Sequence, residues 1–301
     1  VLSDLDFLKF ESKPSLRKPY LVCGLNGSFN GGNVSVGGVD YFISQFGAVK
    51  FAEMPASRYH IYQIPGVDSM RPGFKMQEGL IVEANLPTNE FYYTTNTGSE
   101  HDLILLRGYE PALNWEEYAE NVVDLARYFG AVRLYTMCGL LDMTPYTREP
   151  IISCTCTDSK VKQEMEYFQI TYSNREGMAS YGQMLIHTCQ KKGLEGVNFT
   201  VRVPCYPEFN VFLVDCPKSL KAILVRLKDL MHFNMNFNEL DAVIKEIEEK
   251  LNIIRQQNPN FNALLNELEK KFVDMPYHES LGISPSDAVR LAEEFLKNNK
   301  E

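Results

Sequence analysis

Five residues placed just past runs that read as strands could together hold a small anion. Asn26, Gly32 and Asn33 lie in a Gly/Asn-rich turn, residues 24–33, between the apolar run Tyr20-Leu21-Val22-Cys23 and a helical pattern. Backbone N–H groups at such a strand-to-helix turn can bind phosphate. Arg148, beside Thr147, offers a guanidinium for a phosphate or carboxylate, while Glu110 offers a base or a partner for Arg148. The turn fits neither Gly-x-Gly-x-x-Gly nor the Walker pattern, so no nucleotide is specified. Glycines also simply permit positive φ and close packing, and an Arg148–Glu110 pair could staple two loops without doing chemistry.

No other constellation assigns a catalytic residue, a metal site or a cofactor. The histidines, 60, 101, 187, 232 and 278, share no spacing, and Ser180 sits in Gly-Met-Ala-Ser-Tyr-Gly, not in a nucleophile elbow. Seven cysteines are scattered through apolar segments and read as reduced thiols of a cytosolic protein. Cys154-Thr155-Cys156 is the one close pair, and strand alternation aims both sulfurs at the same face. No second Cys or His pair has structural-zinc spacing.

The elements that position these residues alternate. Strands are expected at Tyr20–Cys23, Tyr59–Ile64, Leu80–Leu86, Phe91–Thr95, His101–Arg107, Val132–Met137, Ile151–Cys156 and Val197–Val203. Helices are expected from Val34 to Gly47, from an Asn114 N-cap to Gly130, and over Val161–Tyr167, Tyr181–Lys192 and Ser219–Met231. Such alternation predicts a three-layer α/β sandwich with a mostly parallel sheet over residues 1–236.

Beyond Phe237 the strand signals stop, and a small all-helical module is expected over 237–301. Leu240, Val243, Ile244, Ile247, Leu251 and Ile254 form an apolar stripe opposite a charged face, and Leu240, Ile244, Ile247, Leu251 and Ile254 are a candidate interaction surface. Phe261, Leu264, Leu265, Leu268 and Phe272 repeat the pattern, and a third helix is expected to open at Ser284-Pro285-Ser286-Asp287. Burying six residues of the first stripe gains at most about 10 to 15 kcal/mol. Ordering costs about 1.5 kcal/mol per residue, so the helix needs a surface to pack against.

Composition narrows the partners. In 301 residues the formal charge is −9, which argues against nucleic acid or an anionic membrane surface. No apolar run approaches the roughly 20 residues of a membrane span, and the first ten residues lack the long apolar block of a signal peptide. A soluble, cytoplasmic protein is expected.

Several short motifs, in order, carry a resemblance. They are Gly24 with Gly32-Asn33-Val34, Gly108-x-Glu110-Pro111 with Trp115, Gly139-Leu140, Pro145 with Thr147-Arg148 and Pro150, and Val203-Pro204 with Tyr206. Together, from Leu21 to about Leu296, the chain resembles the proteasome assembly chaperone 2 family, and most closely its bacterial members with a C-terminal helical appendage. The resemblance implies a phosphorylase/hydrolase-like α/β body, homo-oligomers with trimers among bacterial relatives, and a chaperone role without catalysis among eukaryotic and archaeal relatives. Two departures matter: Tyr146 and Cys205 stand where the family commonly has His. Both remove groups that could act as acid or base near neutral pH. The chain also ends Asn-Asn-Lys-Glu, not in the hydrophobic-Tyr-any tail of some archaeal proteasome-binding relatives.

The function expected is therefore a non-enzymatic assembly or interaction protein acting as a homo-oligomer. The alternative is a binder or enzyme for a phosphate-bearing or nucleoside-like ligand, held by Asn26, Gly32, Asn33, Glu110 and Arg148.

Overall fold

The computed structural model describes residues 5–63, 72–174, 176–206 and 215–272. The first half of the chain forms β1 (Lys9–Phe10), β2 (Tyr20–Asn26), α1 (Val34–Phe46), β3 (Val49–Met54), β4 (Gly73–Gln77), β5 (Leu80–Asn85), β6 (Asn89–Thr94), β7 (Leu103–Tyr109) and α2 (Trp115–Tyr128). There follow β8 (Arg133–Asp142), β9 (Ile152–Cys156), α3 (Ser159–Glu166), β10 (Thr171–Tyr172), α4 (Tyr181–Lys192) and β11 (Glu195–Pro204). Three helices close the described chain: α5 (Pro217–Met231), α6 (Asn238–Gln257) and α7 (Pro259–Lys271).

Among the described residues nine strands make one sheet in the order β1-β3-β6-β7-β2-β8-β11-β9-β10. Its centre, β7, β2, β8 and β11, is parallel. On one side β6, β3 and β1 add antiparallel, and on the other β9 lies antiparallel to β11. The sheet is thus mixed, which corrects the mostly parallel expectation. The reason is where crossover helices are missing. No helix joins β6 to β7 or β8 to β9, and a short connection returns the chain antiparallel, whereas α3 carries β9 into a parallel β10.

Continuous apolar runs in the central strands are buried on both faces. Val22, Leu103, Leu105, Tyr135 and Met137 point into one core with α1, α3 and α5. Leu21, Cys23, Ile104, Leu106 and Leu134 point into the other with α2 and α4. Helices therefore cover both sides of the sheet. Among the described residues no helix is long and apolar enough to cross a membrane.

Two local expectations need correction. The run Tyr59–Ile64 is not a strand as far as Gln63: a 3₁₀ turn at Ala56–Arg58 leads to Tyr59, whose ring packs edge-on to Tyr118. Ile64 lies outside the described residues. Asn114 precedes α2 but does not cap it, because it sits at φ 54° and its side chain donates to the Arg58 carbonyl at 2.9 Å.

The boundary expected at 236 falls in the link, residues 232–237, between α5 and α6. Leu251, Phe261 and Leu265 of α6 and α7 are buried in the same core as α1 and α5. Leu240, Ile247 and Ile254 pack against that core, and Ile244 is half-buried. The apolar stripe of α6 thus faces the body of its own chain. The helix expected at Ser284 lies outside the described residues.

Leu251 is 1% exposed. Leu251→Ala is expected to cost about 2 to 5 kcal/mol, read from the midpoint of urea unfolding. A midpoint unchanged from wild type would show that α6 is not part of the cooperative core.

Candidate functional site

The turn of residues 27–33 is held against β8 by backbone contact. Gly139 donates its N–H to the Phe29 carbonyl at 2.7 Å, and Asn30 bridges to Gly139 in parallel register. A Cβ at Gly139 would overlap the Gly31 carbonyl oxygen, so a side chain there would push the turn off the strand. Gly32 has φ 60°, and its carbonyl accepts the Cys216 N–H at 2.8 Å, tying the same turn to the start of α5.

Backbone N–H groups of this turn and of the start of α1 are already engaged by the chain. Glu110 follows β7, and its carboxylate accepts the Ser28 N–H at 2.9 Å and a second backbone bond from Phe29. Burial pushes the Glu110 carboxyl above its usual range, and those two N–H groups pull it only part of the way back. At the start of α1, Asn30 Oδ1 accepts the N–H groups of Ser35 and Val36 at 2.9 and 3.1 Å. Asn30 Nδ2 in turn donates to Asn26 Oδ1 at 3.2 Å and to Asn33 Oδ1 at 3.4 Å. Asn26, Asn33 and Glu110 therefore gather around one turn, with Asn30 as the hub. Sequence reasoning missed Asn30; its signal was an Asn four residues before a helix start that carries no Ser, Thr or Asp cap.

Arg148 is elsewhere. It lines a niche with Pro145, Tyr146, Pro204, Lys218, Ile247 and Leu251, a set with no member in common with the small cavity beside Glu110. The niche has room for about one water, some 20 Å³, because α6 lies across it. The loop carrying Arg148 is stapled to the C-terminal helices. Tyr146 donates its hydroxyl to Asn252 at 2.8 Å, Thr147 donates to Glu269 at 2.6 Å, and Lys218 bridges the Tyr146 carbonyl and Glu248 at 2.7 and 2.6 Å. Burial alone would push Glu269 up, but Thr147 and Arg255, with Arg148 nearby, hold it below the usual carboxylate range.

Of the two departures from the resemblance, Tyr146 belongs to this packing. Tyr146 is buried and stacks on Phe261 with ring centroids 6.3 Å apart, and Tyr206 packs on the same ring at 5.5 Å. Cys205 is partly buried and donates its N–H to the Asp142 carbonyl at 2.9 Å. Ser180 caps α4, accepting from the Gln183 N–H while the Gln183 side chain accepts from the Ser180 N–H. That is a capping box.

The sign of the Glu110 shift makes a test. An acid whose folded pKa is raised adds most stability below its unfolded pKa and loses it as pH rises through the folded pKa. Glu110→Gln keeps an acceptor for Ser28 but carries no charge to bury. The variant is expected to gain stability relative to wild type between pH 4 and pH 7 in paired urea titrations. An ion pair between Glu110 and Arg148 would give the opposite sign.

The PAC2 family matches the chain over residues 22–255. A search of curated proteins gave no match. Among solved structures, a PAC2 family protein from Streptomyces avermitilis MA is similar with TM-score 0.68 and 23% identity, covering 78% of this chain and 94% of its own. The proteasome-assembly chaperone homologue of Mycobacterium tuberculosis is similar with TM-score 0.69 and 21% identity, covering 77% and 94%. An archaeal proteasome activator from Pyrococcus furiosus has TM-score 0.62 and 21% identity, covering 82% and 97%. At these identities the structures speak for the fold alone, whereas the family match spans most of the sequence: this chain belongs to the PAC2 family.

Proposed function

We propose that the protein is an assembly factor of the chaperone kind, cytoplasmic and homo-oligomeric, that works through protein surfaces and not through chemistry at its strand ends. Membership of the PAC2 family supports this reading, as do structural neighbours described as a proteasome-assembly chaperone homologue and a proteasome activator. So does the engagement of the turn by Glu110 and Asn30 and of the Arg148 loop by α6, which leaves the strand-end cleft filled by the chain's own groups.

One observation carries the proposal. The hairpin β4–β5 stands apart from the main sheet and is exposed along its whole length. It nevertheless presents Phe74, Met76, Leu80, Ile81, Val82 and Leu86 to solvent, with Met76 70% and Leu80 71% exposed. A two-stranded hairpin alone is marginal in water, and an apolar patch of this kind marks a contact surface. Its charged cross-strand pair, Lys75 opposite Glu83, offers each sign to a like surface. A second copy of this chain satisfies both needs, and the family resemblance makes a closed trimer the natural arrangement.

Wild type is expected to sediment as an oligomer at micromolar concentration. Met76→Asp combined with Leu80→Asp is expected to sediment as a folded monomer, with unchanged far-UV dichroism. A wild-type monomer across that range, or an oligomer indifferent to both substitutions, would overturn the role of the hairpin.

A further inference from the structure

Strand β9 is one strand in from the edge of the sheet, between β11 and the two-residue β10. Alternation places Cys154 and Cys156 on one face of it, and their sulfurs lie 3.6 Å apart. Cys154 is buried in the core that contains Val161 and Met165 of α3, and Cys156 is partly exposed. An incoming reagent therefore meets Cys156 first and finds Cys154 directly behind it.

We infer that Cys154 and Cys156 form a dithiol that peroxides oxidise reversibly to an intrachain disulfide, with Cys156 attacking and Cys154 resolving. The arrangement that supports this is an asymmetric pair of thiols, one buried and one partly exposed, in hydrogen-bonding contact. The Cys154 thiol donates to Cys156 and holds it below the ordinary thiol range, and Arg133 adds to the effect, against burial and the charges of Asp158 and Glu164. The same hydrogen bond, with burial, pushes Cys154 well above that range, and Lys162 offsets only part of it. A partly exposed thiol with a second thiol 3.6 Å behind it is the arrangement of redox-responsive cysteines. Cys23, Cys138, Cys189 and Cys216 contrast with it: all are buried, and burial raises each of them, Cys138 and Cys189 to about 12.

The chemistry balances in two steps. The Cys156 thiolate attacks one peroxide oxygen, the O–O bond breaks, and the departing hydroxide or alkoxide takes a proton from solvent, leaving a sulfenic acid. The Cys154 thiol then attacks that sulfur. An S–S bond forms, the S–O bond breaks, and hydroxide leaves with the Cys154 proton as water. The dithiol loses two electrons, which the peroxide gains. Residues two apart in a strand are separated by about 6.6 Å at Cα, near the upper limit of roughly 6.8 Å for a bridge. Closing the bond compresses the strand, so small thiols reopen it readily.

The test uses the full chain. Wild type treated with a few equivalents of hydrogen peroxide is quenched, denatured in the presence of N-ethylmaleimide so that every remaining thiol is labelled, and mapped by mass spectrometry. The expected result is the loss of both labels from the tryptic peptide 149–160, a mass lower by two hydrogens, and full recovery of both labels after dithiothreitol. Without peroxide, Cys156 in the native protein is expected to alkylate at least about tenfold faster than Cys23, Cys138, Cys189 and Cys216. Cys154→Ser should stop at a sulfenic acid on Cys156 that dimedone traps, and Cys156→Ser should leave Cys154 labelled. The inference is overturned if wild-type peptide 149–160 keeps both labels while Cys205 or any other cysteine is consumed. That outcome needs no variant to fold, and it leaves the assembly reading untouched.

Discussion

The turn after β2 and the backbone of β8 approach so closely at Gly139 that no side chain fits between them, and the strand ends are organised around that contact. It fixes the turn on the sheet, which aims the Ser28 and Phe29 N–H groups at the end of β7, where Glu110 receives them. It also sets Asn30 where its side chain caps α1, and it leaves the Gly32 carbonyl to anchor the start of α5. Two helices and three strands thus take their positions from one backbone contact.

The same geometry explains why an apparent ligand site is an internal one. Oriented N–H groups at a strand-to-helix turn favour negative charge whatever its source. Here the source is a side chain of the protein. Glu110 bears a burial cost that two backbone bonds only partly offset, a balance suited to holding a turn in place. Arg148 sits apart, on a loop that α6 and α7 hold through Tyr146, Thr147 and Lys218.

Much of the fold was legible because burial wrote it into residue patterns. Leu103 to Leu106 form an unbroken apolar run because both faces of β7 are covered, and the Gly47 end and Ser180 start of their helices follow from local backbone needs. Strand direction was not legible in the same way. It depends on whether a connection holds a helix, and the 143–151 loop between β8 and β9 carries no such signal either way. At the site, residue types pointed to the right turn, but Arg148 was grouped with it because strand ends share an edge in sequence logic, while in the fold Arg148 lines a separate niche with residues of α6. Asn30 was missed because its role lies in a side chain reaching forward to Ser35 and Val36, beyond the usual capping offsets. Of the hairpin, β5 was legible while β4 was not, and neither was its exposure, since Leu80-Ile81-Val82 reads like a core strand.

The helices over the Arg148 loop behave as a tethered occupant. A six-residue link joins α6 to α5, so the stripe ending at Leu251 and Ile254 is never diluted away from the surface it covers. Tethers of this length correspond to local concentrations on the order of millimolar. Any free molecule competing for that surface faces this standing concentration, and a metabolite of ordinary affinity loses to it. Only a binder offering comparable apolar area, another protein, competes on equal terms.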